Sequence, residues 1–437
     1  MADEQEVSLN MKRAFTNLML LDGSEHMTPR RGQAVLVDDD RIAAVLPEQD
    51  CSLEGFEVID LGGQYLMPGL INLHVHIPAG GKPSKKPMDA KKSVKLATSN
   101  ALTRKYIEYM YKSYCRTELL SGVTTFRSVG GIENYDTWIR DRIAAGKAVG
   151  PRILAGNMAV SVPEGHMAGS LAYEATTPAE AAAYVRKIAA DKPDLIKLMV
   201  TGGVLDATVK GEPGVLKMEP ALVKSACDEA HRLGFQVAAH VESPQGMRVA
   251  LENGVDTIEH GAKPDAEIIR LFRETGAVHV ATLSPALPYA LFDPEVSHVS
   301  ETERFNGEVV FRGIVECAKQ CLANDIPVGL GTDTGCPYVT HYDMWRELQY
   351  FHKCCGVPNS FALYTATKRN AEIAGIGDVT GSIQAGRCAD FIVCARNPLE
   401  DLTVLRNLSM VVARGTVIRN PKIKKMPQVE AELDKFM

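Results

Sequence analysis

Residues 66–81, LMPGLINLHVHIPAGG, place two histidines two positions apart at the end of an apolar run. The run at 70–73 predicts a buried strand, and because side chains alternate along a strand, His74 and His76 leave the same face. Two imidazoles at the end of one strand either chelate a single metal ion or form an ordinary solvated strand end. The rest of the chain has to separate these two interpretations.

Seven further short apolar runs follow the first one, and amphipathic helical patterns separate most of them. The eight runs are LINLHVH (70–76), TTFRSV (124–129), RILAGN (152–157), LIKLMV (195–200), FQVAAH (235–240), DTIEH (256–260), VHVAT (278–282) and PVGLGTD (327–333). ALVKSACDEAHRLG and AEIIRLFRETG are two of the helical patterns, and the second ends in a glycine, which commonly terminates helices. Eight β/α units in about 310 residues predict a closed (β/α)8 TIM-type barrel at 66–375. A doubly wound open sheet is the alternative, although no glycine-rich dinucleotide turn follows the first strand.

The two chain ends have a different pattern, in which apolar and polar residues alternate over short segments. QAVLVDDDRIAAVLP and FEVIDLGGQYL lie near the start, and DDD within the first of them predicts a hairpin turn. GRCADFIVCARNP and LSMVVARGTVIRN repeat this pattern near the end. Because these segments flank the barrel, we expect residues 1–65 and 376–437 to form one small β-sandwich domain.

Composition and charge exclude several classes of protein. The 437 residues are 45% hydrophobic and 23% charged, which is ordinary for a globular protein, and the net charge of −6 argues against a nucleic-acid partner. The polar start MADEQEVSLNMKRAFTNLML predicts neither a signal peptide nor a membrane span. Ten cysteines without CxxC spacing indicate reduced thiols in a cytoplasmic protein, and Cys317 and Cys321 are predicted to pack as soft side chains.

Residues that bind metals recur where the predicted barrel strands end. His74 and His76 end the first strand, and the fifth, sixth and eighth strands end in His240, His260 and Asp333. Because the C-terminal ends of barrel strands meet at one mouth, these side chains are expected to converge. Packing needs do not explain why four strands deliver only histidine and carboxylate to one place. The sequence therefore predicts a metal site.

Lys197 lies in the strand pattern DLIKLMV, where it faces the same way as Leu195 and Met199. Burial of a charged ammonium is unfavourable and typically depresses a lysine pKa by up to ~3–5 units. One interpretation is a buried ion pair. The other is a neutral amine that has added carbon dioxide, because the two oxygens of the resulting carbamate are able to bridge two cations.

Four other features are candidates for the substrate side of the same mouth. His166 in VPEGHMAGS and His341 in TDTGCPYVTHYD lie in predicted loops, where they would bind substrate or orient metal ligands, and His166 is also a candidate catalytic residue. Arg127 either binds a substrate carboxylate with its planar guanidinium or pairs with an acid such as Glu133. The six lysines of residues 80–95 form either a solvated loop or a lid that attracts carboxylates.

The set of potential ligands in this chain resembles the metal array of the binuclear amidohydrolase superfamily. The set consists of His74, His76, Lys197, His240, His260 and Asp333. The segments LMPGLINLHVH, IKLMVTGGVLD, VAAH, GVDTIEHG and GTDTG are similar to its prolidase-like branch, which includes Xaa-Pro dipeptidase, carboxypeptidase and ochratoxin-amidohydrolase-like members. TGSIQAGRCADFIV resembles the C-terminal return of the sheet domain in that superfamily, so the similarity spans nearly the whole chain.

The resemblance implies two divalent metal ions, with zinc as the favoured metal. The implied ligands are His74 and His76 for the more buried ion, His240 and His260 for the other, and carbamylated Lys197 between them. Asp333 would bind metal and transfer protons. A hydroxide that bridges the ions would attack an amide carbonyl, as in other two-metal hydrolases. The expected substrate is a dipeptide or N-acyl amino acid with a free carboxylate, and the expected enzyme is a homo-oligomer.

Three other functions are alternatives, and three segments depart from the branch pattern. A cyclic-amide hydrolase of the superfamily would keep the lysine, whereas an inactive scaffold protein would typically lose ligands and a one-metal deaminase would lack the bridging lysine. The departures are Ser128 in FRSVGG, where aspartate is common, VPEGHMAG in place of a Thr-Gly-Gly-His pattern, and HVES after His240. We expect all three on the substrate side, so they bear on the choice of substrate.

Overall fold

The computed structural model describes residues 12–83 and 89–437, and its first five strands belong to the sheet that the two chain ends build. They are β1 (Lys12–Leu20), β2 (Arg30–Asp38), β3 (Arg41–Pro47), β4 (Glu57–Asp60) and β5 (Tyr65–Pro68). β2 and β3 form an antiparallel hairpin, and Asp39 in its turn has φ of 56°, a conformation that aspartate tolerates better than most residues. The hairpin predicted at DDD is confirmed.

The next ten strands build the barrel and a short extension beside it. They are β6 (Leu70–Val75), β7 (Val123–Ser128), β8 (Arg152–Leu154), β9 (Ala159–Ser161), β10 (Ala172–Glu174), β11 (Leu195–Met199), β12 (Gln236–Val241), β13 (Thr257–His260), β14 (Val278–Ala281) and β15 (Val328–Leu330). All except β9 and β10 coincide with the eight predicted apolar runs. Their ladders are parallel, in the orders β6-β7-β8 and β10-β9-β11-β12-β13-β14-β15.

Backbone hydrogen bonds join these two ladders into a closed barrel. On one side the amide of Asp194, next to β11, donates to the carbonyl of Ala155, next to β8, at 2.8 Å. On the other side the amide of Asp333 donates to the carbonyl of His74 at 2.8 Å, and the amide of His76 donates to the carbonyl of Thr334 at 2.9 Å. The predicted (β/α)8 barrel is therefore confirmed, and the alternative of an open sheet is wrong.

The helices follow the barrel strands and cover the outside of the sheet. They are α1 (Ala90–Ala97), α2 (Ala101–Leu120), α3 (Tyr135–Ala144), α4 (Pro178–Ala189), α5 (Pro220–Arg232), α6 (Pro244–Glu252), α7 (Ala266–Thr275), α8 (Leu283–Leu291), α9 (Pro294–Ser297), α10 (Glu301–Ala323), α11 (Met344–Cys355), α12 (Asn359–Tyr364), α13 (Asn370–Ile373) and α14 (Pro427–Leu433). α7 begins at Asp265, whose side chain accepts from the amide of Ile268, and ends at Gly276 with φ of 73°, as predicted. Within the two described ranges, no helix has the length and apolar character that a membrane span requires.

The chain returns to the first sheet through three late strands. They are β16 (Phe391–Cys394), β17 (Met410–Ala413) and β18 (Thr416–Arg419), in the sheet order β18-β17-β16-β5-β1-β2-β3 with β4 also paired to β1. This sheet surrounds its own core, in which the rings of Phe15 and Phe391 lie edge to face with centroids 4.9 Å apart. A β-sandwich built from both chain ends is thus confirmed, while the domain boundaries at 65/66 and 375/376 stay a prediction.

Candidate metal centre and active site

The side chains at the ends of four barrel strands converge on one buried cluster. His74 lies in β6, His240 in β12 and His260 at the end of β13, while His76 and Asp333 follow β6 and β15. The ring centroids of His74 and His260 are 4.8 Å apart, and those of His240 and His260 are 4.6 Å apart. Potential ligand atoms of His74, His260 and Asp333 lie within 4.8 Å of one another. The structure therefore brings together the histidines and the aspartate that the sequence selected.

His74 and His76 both turn Nε2 towards the cluster because protein oxygen atoms hold Nδ1. The Nδ1 atom of His74 lies 2.8 Å from Oε2 of Glu259, and that of His76 lies 2.8 Å from the carbonyl oxygen of Gly130. The two Nε2 atoms lie 3.4 and 3.2 Å from Oδ1 of Asp333. Burial lowers the pKa of His74 to about 4, which favours the neutral imidazole that binds metals.

Hydrogen bonds also orient His240 and His260, but the nitrogen that is held is Nε2 in His240 and Nδ1 in His260. Nε2 of His240 lies 3.2 Å from the carbonyl oxygen of Gly202, so Nδ1 is left for a ligand. Nδ1 of His260 lies 2.7 Å from the hydroxyl of Thr282, so Nε2 is left. Burial lowers the pKa of both histidines well below the ordinary value. Hydrogen bonds of this kind typically fix the ring orientation of metal-binding histidines.

Asp333 contributes a buried carboxylate to the same cluster. Burial alone would raise its pKa, but interactions with His74 and His76 hold the pKa well below the ordinary value, so the carboxylate is ionised. Oδ1 is buried and lies 3.4 and 3.2 Å from Nε2 of His74 and His76, without a well-aligned hydrogen bond to any described residue. The backbone of Asp333 has φ of 55°, in the left-handed region that is uncommon for residues other than glycine. A buried, ionised carboxylate oxygen is a suitable ligand for a cation.

Lys197 lies within β11 and is 1% exposed. Across residues 12–83 and 89–437 its ammonium has no hydrogen-bond partner and no acid at ion-pair distance, although Glu259 and Asp333 attract it from further away. Burial lowers the pKa of Lys197 to about 8. At that pKa about a tenth of the amine is neutral at pH 7, compared with well under a thousandth for an ordinary lysine. The neutral amine is the form that adds carbon dioxide.

Arg127 is buried in the barrel, where it holds a second carboxylate in place. Its Nη2 donates to Oε1 of Glu259 at 2.6 Å, and its Nε donates to the carbonyl of Leu73 at 2.7 Å. Glu259 in turn contacts His74, so the arginine acts on the cluster through the glutamate. This corrects the predicted role of Arg127 as a carboxylate-binding residue for substrate, since its guanidinium is committed to Glu259. The alternative prediction, that Arg127 pairs with an acid, agrees with the structure, but the acid is Glu259 and not Glu133. Glu133 pairs with another arginine at the surface.

His166 lies at the edge of the cluster, stacked on His240. The two ring centroids are 4.1 Å apart and the ring planes differ by 11°. Nδ1 of His166 lies 2.5 Å from Oδ2 of Asp206, which also accepts from the amide of Gly203 at 2.9 Å. Burial opposes ionisation of Asp206, but the contact with His166 lowers its pKa. This position next to a cluster histidine is compatible with contact to substrate, and the catalytic and substrate-binding roles of His166 stay predictions.

His341 is buried, and its ring contacts other parts of the protein on every side that could bind a substrate. Its Nδ1 lies 3.0 Å from Oε1 of Glu118, its Nε2 lies 2.8 Å from the carbonyl oxygen of Ala79, and its ring stacks on Tyr114 with centroids 4.5 Å apart. Because both ring nitrogens are engaged, neither is left for a ligand. The structure therefore replaces the predicted substrate-binding role of His341 with a positioning role, in which it ties the segment after β15 to the segment after β6.

Two further predictions concerned residues on the substrate side. Ser128 is buried and donates to Oδ2 of Asp136 in α3 at 2.6 Å, so it faces a helix rather than the open mouth. In the lysine-rich segment, Lys91 pairs with Glu174 at 3.2 Å. Residues 84–88, with two of the six lysines, lie outside the described residues, so the function of this segment as a lid stays a prediction.

Glu242 is a member of the cluster that the sequence analysis missed. A carboxylate oxygen of Glu242 and ring nitrogens of His240 and His260 all lie within 4.8 Å of one another. Oε2 of Glu242 is buried and, among the described residues, without a hydrogen-bond partner. Burial raises the pKa of this carboxyl well above its ordinary value. The available signal was the spacing, since His240 and Glu242 are two residues apart, like the histidine pair that ends β6.

A cavity of about 800 Å³ borders Glu242 and so adjoins the cluster. Its walls come from residues 211–216, the start of α6 and one side of α10, and its apolar lining includes Val215, Leu216, Val309 and Val310. Lys263 also lines the cavity, is exposed, and forms no ion pair with any described residue. The cavity therefore combines apolar walls with charged groups of both signs, next to a cluster of potential metal ligands. The charged residues of the lining are Lys263, Arg312, Glu212, Glu219, Glu242 and Glu316.

Behind His260 lies a second group of potential ligands, which are His279, Cys317 and Cys321. Burial raises the pKa of the Cys317 thiol well above its ordinary value, so the thiolate that binds metals is disfavoured. Nε2 of His279 lies 2.7 Å from the carbonyl oxygen of His260 and donates to it. This group supports the packing role predicted for the two cysteines.

A closed (β/α)8 barrel with buried imidazole and carboxylate groups at the ends of its strands is the architecture of metal-dependent hydrolases of the amidohydrolase type. The chain belongs to the amidohydrolase family, whose family model matches residues 65–418. The class inferred from the sequence is thereby confirmed.

Individual relatives place the chain in the prolidase-like branch. A candidate prolidase from Bifidobacterium longum is 33% identical, with a TM-score of 0.86 over 97% of this chain and 98% of that one. A Xaa-Pro dipeptidase with methionine bound in its active site is 27% identical, with a TM-score of 0.81 over 93% of this chain and 100% of that one. Ochratoxinase from Aspergillus niger is 25% identical over 427 residues, which cover 90% of this chain and 84% of the relative. The protein is a hydrolytic enzyme that acts on amide bonds, while its cytoplasmic location and homo-oligomeric state stay predictions.

Proposed function

We propose that the protein is a binuclear metal-dependent hydrolase that cleaves the amide bond of a dipeptide or an N-acyl amino acid with a free carboxylate. The observation that carries this proposal is the buried cluster of four oriented histidines, the ionised Asp333 and the unpartnered Lys197.

The residues of the cluster fit two divalent metal ions. Each histidine has one nitrogen held by a protein oxygen atom and the other facing the cluster, where Nε2 of His74 and His76 lies near Oδ1 of Asp333. Nζ of Lys197 is buried without a hydrogen-bond partner among the described residues. The residues that would hold the ions are His74 and His76 for one, His240 and His260 for the other, and Asp333 and carbamylated Lys197 for the pair. Imidazole and carboxylate ligands favour zinc, and such mixed sites also accept cobalt or manganese.

The residues of the cluster have distinct roles in the proposed reaction. Divalent ions at such a site supply Lewis acidity and lower the pKa of water towards neutrality. Asp333 is ionised at the centre of the cluster, where it would accept the proton of the attacking water and transfer it to the leaving nitrogen. His166 is placed beside His240, where it contacts the substrate at the edge of the cluster. Arg127 and Glu259 keep the ring of His74 in one orientation throughout.

The relatives and the cavity support the proposed class of substrate. One relative is a Xaa-Pro dipeptidase and another is an ochratoxinase, so both names point to small molecules as substrates. The cavity of about 800 Å³ offers apolar walls to a bulky side chain or acyl group of such a substrate. Because Arg127 is committed to Glu259, we assign recognition of the carboxylate to Lys263. The other cation of the lining, Arg312, pairs with Glu308 at 3.0 Å.

The proposal is tested by a screen of dipeptides and N-acyl amino acids, each paired with the same compound ending in a neutral amide. We expect zinc-reconstituted protein to contain about two ions per chain and to prefer the free carboxylates. Lys263→Met should weaken this preference, whereas Lys224→Met, which removes a lysine from a surface pair with Asp228, should not. Only trace metal after reconstitution would contradict the binuclear site. Equal turnover of the neutral amides would contradict carboxylate recognition and favour a cyclic-amide substrate.

A further inference from the structure

The position of Glu242 at the end of β12 directs its side chain into the histidine cluster. His240 and Glu242 are two residues apart, so they leave the same side of an extended chain. β12 and β13 pair in parallel with Val241 opposite His260, which brings the end of β12 level with the histidine that ends β13. As a result, a carboxylate oxygen of Glu242 lies within 4.8 Å of ring nitrogens of both His240 and His260.

One oxygen of this carboxylate lacks a partner among the described residues, although the carboxylate also accepts from the backbone amide of Val204. Oε2 of Glu242 is buried without a hydrogen bond, and Glu242 forms no ion pair with any lysine or arginine of residues 12–83 and 89–437. The charged groups that act on it most strongly are Asp333 and Asp206, which are both acidic, and Asp206 is already paired with His166. Burial of a carboxylate in such surroundings is unfavourable unless a cation compensates it.

We propose that Glu242 is a further ligand of the metal ion that His240 and His260 hold. The inference rests on the proposed function, because it requires an ion at that position. Charge balance supports it, because Arg127 neutralises the charge of Glu259. Apart from the attacking hydroxide, Asp333 and a carbamate on Lys197 would then supply two negative charges against the four positive charges of the ions. Glu242 adds a third. Its hard oxygen also makes this position more favourable for manganese or cobalt than imidazole nitrogen alone would.

The inference is tested by the rate at which metal leaves the protein, measured with a chromophoric chelator on protein reconstituted with zinc or with manganese. Glu242→Gln keeps the size of the side chain but removes its charge. Loss of a group that supports a metal site typically reduces affinity roughly 10–100-fold, so one of the two ions should leave about 10–100-fold faster. Glu316→Gln, on the wall of the same cavity but outside the cluster, should behave like the wild-type protein.

The outcomes separate this inference from the proposed function. If the wild-type protein holds two ions and Glu242→Gln releases both at the wild-type rate, the inference is wrong and the binuclear site stands. Unchanged metal release together with a raised KM for substrates that carry a free ammonium would instead assign Glu242 to substrate binding. A wild-type protein with only trace metal would contradict both. As a second readout, metal-free Glu242→Gln should melt at or above the wild-type temperature and gain less on addition of zinc, and an equal gain would overturn the inference.

Discussion

Replacement of Arg127 by methionine should lower the thermal midpoint of the metal-free protein by about 3–5 °C. The side chains of Arg127 and Glu259 are 3% and 0% exposed and are joined at 2.6 Å, so the variant leaves a buried carboxylate without its cation. Breaking a buried pair typically costs about 3–5 kcal/mol. At about 2.1 cal/mol/K per residue, unfolding of 437 residues has an entropy of about 0.9 kcal/mol/K, so each kcal/mol corresponds to about 1 °C.

A double-mutant cycle isolates this effect from a general loss of packing. Glu259→Gln removes the stranded charge, so Arg127→Met combined with Glu259→Gln should be more stable than Arg127→Met alone. Burial alone would raise the pKa of Glu259, but Arg127 and His74 hold it well below the ordinary value of 4.5. The stabilisation by the pair is therefore present above about pH 4.5 and is lost as the pH falls.

The matched control is Arg104→Met, which breaks an ion pair of the same length at the surface. Arg104 and Glu133 are joined at 2.6 Å but are 40% and 44% exposed, so the midpoint should change by no more than about 1 °C. Scanning calorimetry in the presence of chelator measures all the variants. If Arg127→Met melts within 1 °C of the wild-type protein and only raises KM for carboxylate substrates, then the arginine binds substrate and its assignment as the buried partner of Glu259 is refuted.

Three further predictions concern the cluster and its cavity. Protein supplied with ¹³C-bicarbonate should show a carbamate NMR signal that increases as the pH rises from 7 through the pKa of Lys197 at about 8, and Lys197→Ala should lack this signal. Asp333→Asn should keep the fold and most of the metal but lose about 10²–10⁴-fold in kcat, whereas activity within tenfold of wild type would identify another base. Val309→Trp should fill part of the cavity and raise KM for bulky substrates but not for glycine-containing dipeptides, and equal effects on both would place the substrate elsewhere.

The cluster histidines were predictable because two regular features determine their positions. Alternation along a strand fixes the face of each side chain, and a parallel barrel brings the C-terminal ends of all its strands to one mouth. His74 and His240 could therefore be selected from the residues at strand ends alone. Glu242 obeys the same alternation as His240, but one glutamate next to a histidine is common in solvated loops. Only its burial without a cationic partner distinguishes it, and burial is visible only in the structure.

Arg127 and His341 show what the sequence pattern could not predict. Arg127 binds an acid 132 residues away, and His341 binds Glu118, which is 223 residues away. The pattern along each strand or loop indicates which way a side chain points, but not which distant group it meets. A long polar side chain near the mouth is thus equally compatible with substrate contact and with an internal partner. The choice depends on the packing of elements that are far apart in the sequence.

The hydrogen bonds of the cluster make its two proposed metal positions electrostatically different. His74 receives negative charge from Glu259 through its Nδ1 hydrogen bond, which raises the basicity of the nitrogen that faces the cluster. His240 and His260 are held only by a neutral carbonyl and a hydroxyl, so their nitrogens receive no such charge. In our proposal, negative charge reaches the second ion only by direct contact, from carbamylated Lys197 and from Glu242, whose carboxylate lies there. The first position would differ, because it would also gain negative charge through a histidine.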